Sequence, residues 1–198
     1  VKVVGLLTTF NSAFNRSAIH GVRQQLLCLQ AKAAGLPLIE VSLPWPCSNE
    51  QYEAVMDKAL DDACSLLKPH AIAFGDLYLE DIRAYRERQM AGVGLDLVFP
   101  LWQIPTKKLA QEMITGGLKA KITCLDPRVM PERLAGSEFS HKLLKDLPVS
   151  VDPCGENGEF HTFAWDGPMF KHKIPVVAGE VVNRDGFVYA DLLLEDSP

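Results

Sequence analysis

Val1-Lys2-Val3-Val4-Gly5-Leu6-Leu7-Thr8-Thr9 opens the chain with valine and leucine and passes directly into two polar residues. Short apolar runs of this kind fill parallel strands covered on both faces, and ligands collect beyond the carboxyl ends of such strands. The run predicts a strand over Val1 to Leu7, with Thr8 and Thr9 at its outlet. Because the chain starts inside this strand, a preceding segment is expected. Outward from it, Ile19, Val22, Leu26, Leu29 and Ala33 recur at helical spacing up to Gly35, a residue suited to a left-handed cap. Pro37 to Leu43 reads as a second strand. Ser48 and Gln51 make a capping box for a helix whose apolar stripe is Tyr52, Val55, Met56, Ala59, Ala63 and Leu66.

Ala71 to Phe74 is a further apolar strand that ends in Gly75-Asp76, and a charged amphipathic helix follows from Leu79 to Met90. Val98 to Leu101 is short and apolar. Thr106 is predicted to cap a helix ending at Gly116-Gly117, and Lys121 to Leu125 is the next strand. This alternation argues for an α/β fold built on a parallel sheet flanked by helices, with right-handed crossovers. The texture then changes. After a short helix near Ser140 to Leu147 comes Pro153 to Phe170. Val176 to Val182 and Phe187 to Leu194 follow, joined by Asn183-Arg184-Asp185-Gly186, a hairpin signal. The division expected is an α/β domain over 1–104 and a smaller α+β domain over 105–198.

The densest chemistry lies at Cys154-Gly155-Glu156-Asn157-Gly158-Glu159-Phe160-His161-Thr162-Phe163, closed by Asp166-Gly167-Pro168. If the run from Asn157 is extended, Asn157, Glu159 and His161 share one face and Phe160 takes the other. Such a face suits a polar substrate. The 198 residues are 47% hydrophobic, enough for a substantial core, and the net charge is -5. Scattered basic residues on an acidic chain disfavour nucleic acid as a partner. No apolar run is long enough to span a bilayer, so no membrane role and a cytoplasmic location are expected. The five cysteines contain no C-x-x-C pair and read as reduced thiols. Cys154 is disfavoured as a nucleophile, and a metal site from Cys154, Glu156 and His161 lacks a paired ligand motif.

Residues 154–163 with Asp166-Gly167-Pro168-Met169-Phe170 closely resemble the C-terminal motif of the diphthine-ammonia ligase family of ATP pyrophosphatases. Leu6-Leu7-Thr8-Thr9, His20-Gly21-Val22, Gln30 to Leu38, Phe74-Gly75-Asp76 with Arg83 and Tyr85, and Phe99-Pro100-Leu101-Trp102 extend the resemblance over nearly the whole chain. It implies an N-terminal domain of the adenine nucleotide alpha hydrolase type. It also implies an ATP-dependent ligase in which a carboxylate attacks the α-phosphate, pyrophosphate leaves, and ammonia displaces AMP to give an amide. ATP and Mg²⁺ are the cofactors implied; a carboxylate-bearing acceptor and ammonia are the substrates, and a homodimer is admitted. A non-catalytic adenine-nucleotide or metabolite binder on the same scaffold is the alternative.

Carried onto this sequence, the resemblance implies nucleotide contacts from Thr8, Thr9, Gly75, Asp76 and Arg83. Glu156, Asn157, Gly158 and His161 would bind substrate, and Glu159 would be the catalytic acid, base or ammonium partner. The family's phosphate loop, Ser-Gly-Gly-Lys-Asp-Ser, does not occur in residues 1–198. It is expected upstream, on a strand between the Val1 and Phe74 strands, and a sheet without that strand would carry two open edges. Gly116 to Lys119 leads into a strand and is read as a helix end instead.

Overall fold

Strand pairing begins later than the valines indicate. In the computed structural model, which describes residues 1–17 and 20–195, β1 (Leu6–Asn11) starts where its parallel partner β3 (Leu38–Leu43) starts, Leu6 opposite Leu38. Residues before Leu6 have no ladder to join, and Val1 and Val3 are exposed. At the other end β1 runs through Thr8 and Thr9 to Asn11, so both threonines lie within the ladder and not beyond it. β2 (Arg16–Ser17) adds a short antiparallel pairing at Phe10 and Asn11.

Helix α1 (Gln24–Ala34) ends at Gly35 in the left-handed conformation, as its sequence leads one to expect. Val22 precedes the helix, and Ile19 lies outside the described residues. Ser48 caps α2 (Asn49–Leu67) through the complete capping box with Gln51. Tyr52, Val55, Met56 and Ala59 of α2 pack on Val41 and Leu43 of β3. Leu66, expected in the same stripe, is 70% exposed because it lies in the last turn, beyond the packed segment. β4 (Ala71–Ala73), α3 (Glu80–Gln89) and β5 (Asp96–Val98) follow, with β4 and β5 parallel. The parallel strands form two pieces, β2-β1-β3 and β4-β5, with β1 and β4 in different sheets, in agreement with the two open edges expected between the Val1 and Phe74 strands.

The second half is a four-stranded antiparallel sheet in the order β7-β6-β9-β8. Helix α4 (Thr106–Thr115) precedes β6 (Lys119–Leu125), and α5 (His141–Asp146) precedes β7 (Phe160–Asp166). Thr106 does not cap α4. Pro105 holds the cap position, and the Thr106 hydroxyl donates to Asp152 Oδ2 at 2.6 Å. β8 (Val176–Arg184) and β9 (Phe187–Leu194) form the expected hairpin. Asp185 and Gly186 at its tip both have positive φ, 51° and 83°, the conformation that matches a two-residue turn to strand twist. None of the described helices is long and apolar enough to cross a membrane.

Both faces of this sheet are covered, except along β8. On one side Ala110, Ile122, Leu125, Met130, Phe139 and Phe160 form a core with α4 and α5. A register shift between Ile122 and Cys124 lets Leu125 join Ala120 and Ile122 on that side. On the other side Phe163, Ile174 and Leu192 pack against Val22, Leu26 and Ala33 from α1. A helix from the first half thus covers the sheet of the second. Gln30 Nε2 donates to the Ala164 carbonyl at 2.7 Å, and the Lys171 N–H to Ala33 at 2.8 Å.

One ion cluster fixes the entry to this helix. Arg16 and Arg23, on either side of it, both grip Asp191 of β9, Arg16 with two hydrogen bonds at 2.8 and 3.1 Å. Burial alone would raise the Asp191 carboxyl, but the two guanidiniums overcome it and hold the group down at about 2. A depressed carboxylate stabilises the fold above its ordinary value, and that contribution is lost as pH falls from about 4 to about 2. Asp191→Asn should cost about 2 kcal/mol at neutral pH, with the difference vanishing near pH 2, as read by denaturant unfolding at several pH values.

Candidate functional site

The polar motif is a compact turn and not an extended run. Gly155 and Gly158 have φ of 72° and 82°, which breaks period-two geometry before β7 begins at Phe160. Gly155 is doubly constrained, because a Cβ there would lie 2.6 Å from the Phe160 carbonyl oxygen. Asn157, Glu159 and His161 therefore do not share a strand face. Glu159 turns inward and is 6% exposed. Its Oε1 accepts from the Asp152 N–H and the Asn157 Nδ2, and its Oε2 from the Asn157 N–H, all at 2.9 Å. An ionised carboxylate is acceptor-only, so three donors suit its charged form. Asp152 completes the turn: its Oδ1 accepts the N–H groups of Cys154 and Glu156 at 2.8 and 3.4 Å.

Glu156 points the other way. Its Oε1 accepts the N–H of Leu77 at 2.6 Å and of Tyr78 at 3.3 Å, just after Gly75-Asp76. The two segments that the sequence marks separately, 75–76 and 154–161, are thereby joined. Tyr78 sits at the joint, its phenol pushed up by burial and by the nearby carboxylates, Asp152 foremost, while the Asn157 side chain opposes the shift. Sequence reasoning missed both Tyr78 and Asp152. The Asp152-Pro153 step at the head of the motif was the signal for one; the short distance from Gly75-Asp76 was the signal for the other.

Around Asp76 the cations lie on aromatic faces. Arg86 lies 5.0 Å from the Phe74 ring, and Arg83 lies 4.7 Å from Phe99 and 4.8 Å from Trp102. Arg83 also donates to Glu87 at 2.9 Å. Asp76 Oδ2 and Arg86 Nε approach to 3.7 Å, and both are buried without a hydrogen bond. Gly75 is exposed, and a Cβ there would meet open space. Thr8 and Thr9 are half-buried inside β1, in a different sheet from β4.

His161 stands on β7 opposite Cys124 of β6, which in turn stands opposite Tyr189 of β9. Directly opposed residues share a face, so the three form a row. The His20 ring lies against His161, with centroids 4.4 Å apart. Burial, and then the charge of His20, pushes His161 down to about 4, so at neutral pH its imidazole is uncharged and only weakly basic. The Cys154 thiol is pushed up to about 12 by burial and by Asp152 and Glu156, and it donates to the Thr106 carbonyl. It is a packed thiol with no thiolate character at neutral pH. A cavity of about 420 Å³ beside α1 and β3, lined by Cys28, Lys32, Gly35 and Glu40 among others, includes none of these site residues. Among the described residues no group of three or more His, Cys, Asp or Glu could hold a metal ion by itself.

A family model described as the diphthamide synthase C-terminal domain matches residues 105–191. A diphthine–ammonia ligase of Danio rerio is 30% identical over 185 residues, covering 85% of this chain and 72% of that protein. The diphthine–ammonia ligase of Mus musculus is 35% identical over 178 residues, 82% of this chain and 66% of the relative. The Schizosaccharomyces pombe enzyme of the same name is 26% identical over 179 residues, but the chain spans only 30% of its length.

The turn's hydrogen bonds carry a testable consequence. Glu159→Ala removes three hydrogen bonds and should lower stability by about 1–3 kcal/mol, with faster proteolysis within 152–160. An unchanged denaturation midpoint would show that the carboxylate does not hold the turn.

Proposed function

This chain belongs to the diphthine–ammonia ligase family, and from that premise we propose that it serves an ATP-dependent ligase that converts a carboxylate to an amide. The acceptor carboxylate attacks the α-phosphate of ATP, pyrophosphate departs, and ammonia displaces AMP from the acyl-adenylate. The observation that carries this reading is the pair of hydrogen bonds from Leu77 and Tyr78 to Glu156. In this reading the turn after β4 and the 152–161 loop are two walls of one site. We assign the nucleotide to the first wall, with Gly75, Asp76, Arg83 and the β1 backbone at Thr8 and Thr9, and the acceptor to the second. The adenine nucleotide alpha hydrolase architecture and the division into 1–104 and 105–198 belong to the same proposal. The family match over 105–191 supports that boundary.

Asp76 suits a magnesium ion, because Mg²⁺ takes one or two carboxylates and draws its other ligands from phosphate and water. Its Oδ2 has no hydrogen-bond partner. The ion would neutralise charge on the phosphate oxygens. Glu156 and Glu159 act as positioning residues: one holds the walls together, and the other holds Asp152 and Asn157 in place. Replacing AMP with ammonia releases one proton, which in this scheme leaves with the departing phosphate or to solvent, while neutral His161, Asn157 and the open backbone at Gly158 hold the acceptor.

Residues 1–198 together with the expected upstream phosphate-loop segment, incubated with ATP, Mg²⁺, ammonium and a diphthine-bearing acceptor, should yield AMP and pyrophosphate; ADP and phosphate would contradict adenylation. His161→Gln should raise the KM for the acceptor about tenfold with kcat little changed. An unchanged acceptor KM would remove the binding role from His161.

A further inference from the structure

β8 is the outer strand of its sheet, and its outer side has no strand partner among the described residues. The Asp185-Gly186 turn makes Arg184 and Phe187 the closing pair of the hairpin. Bonded and non-bonded pairs alternate along an antiparallel ladder, so Val182 bonds inward while Val181 and Asn183 turn their N–H and C=O groups to the open edge. β9 follows the same alternation on its far side, where Val188 faces Leu125 of β6. Natural edge strands are guarded by lysine, proline or bulges. Here a bulge between Ala178 and Val181 bends only the first half of β8. The straight remainder, Val181-Val182-Asn183-Arg184, carries Val181 at 59% and Val182 at 38% exposure.

This segment is complementary to itself. Only outward-facing residues can bond across an edge, and pairing Val181 with Asn183 of a second copy sets a two-fold axis at Val182. Followed one residue past the straight segment into the bulge, that register brings Glu180 beside Arg184 twice, once on each side of the axis. Neither residue has an ion-pair partner among the described residues. The competing register, Val181 on Val181, would lay each Glu180 carboxylate against Val182. Beyond Arg184 the second strand continues toward Phe14, over which the Arg184 guanidinium lies at 5.9 Å, and toward Trp45 beside it. Phe14 and Trp45 are 51% and 64% exposed, so apolar surface is available to cover.

We propose that two copies of this chain associate through β8, antiparallel about Val182, to form one continuous sheet with four strands from each copy. The inference stands apart from the ligase reading. Val182 lies opposite Tyr189 and so extends the row Tyr189, Cys124, His161 to the edge. A two-fold axis normal to the sheet keeps both His161 residues on the same face, seven strand spacings or roughly 34 Å apart.

Sedimentation equilibrium of the full chain across the micromolar range should show a monomer–dimer equilibrium. Glu180→Arg or Arg184→Glu alone should weaken it about tenfold, and the two together should restore it to within about threefold. Under mild oxidation Val182→Cys should give a disulfide-linked dimer, because its Cα separation of about 4.5 Å across the axis suits a disulfide. Asn183→Cys, lying diagonally at about 7–8 Å, should not. If charge inversion also lowers monomer stability, the cysteine pair decides the matter. A monomer at every concentration, or a dimer indifferent to both charges with Val182→Cys uncrosslinked, would overturn the proposal.

Discussion

The buried carboxylate of Glu159 is the constraint on which the site depends. It meets three N–H donors and is 6% exposed, so its charge is satisfied by the very turn it organises. Removing such an acceptor breaks three hydrogen bonds at once, although the exposed Asn157 can turn to water. Around it Asp152 gathers two further amides and the Thr106 hydroxyl. The result is a rigid loop that can hold Glu156 outward toward Leu77 and Tyr78. Two carboxylates three residues apart thus do different work because their surroundings differ.

Rigidity at the loop needs rigidity beneath it, and α1 supplies it. This helix spends its buried face on Phe163, Ile174 and Leu192, while its entry is tied to β9 by Arg16, Arg23 and Asp191. β7, which carries His161, is consequently covered on both sides. The His20 ring over His161 comes from the same entry segment. Helix packing, ion cluster and imidazole pair are therefore coupled, and loosening one should disturb the others.

Local signals were legible. Gly35 caps α1, Ser48 and Gln51 make their box, and Asp185-Gly186 closes its hairpin, because each depends on backbone preferences within a few residues. Family membership was also readable from the 154–163 motif. What failed was anything needing a partner distant in sequence. The valines before Leu6 look like a strand, yet Leu38 sets where pairing starts. The alternation of strands and helices pointed to the parallel pairs β1/β3 and β4/β5 with a break between them, but not to α1 turning to a sheet formed more than a hundred residues later. Asn157, Glu159 and His161 were aligned by a period that two glycines of positive φ interrupt. Tyr78 and Asp152 went unnoticed because each matters only through the other segment.

The central claim is that the turn after β4 and the 152–161 loop form a single site joined by Glu156. Residue-resolved amide hydrogen exchange of the full chain, with and without ATP and Mg²⁺, tests it most directly. The account expects nucleotide to slow exchange at Leu77 and Tyr78 and at Asn157 together, and Glu156→Ala to confine the effect to the first pair. Protection at Leu77 and Tyr78 with residues 152–158 unchanged in the unmutated protein would contradict it.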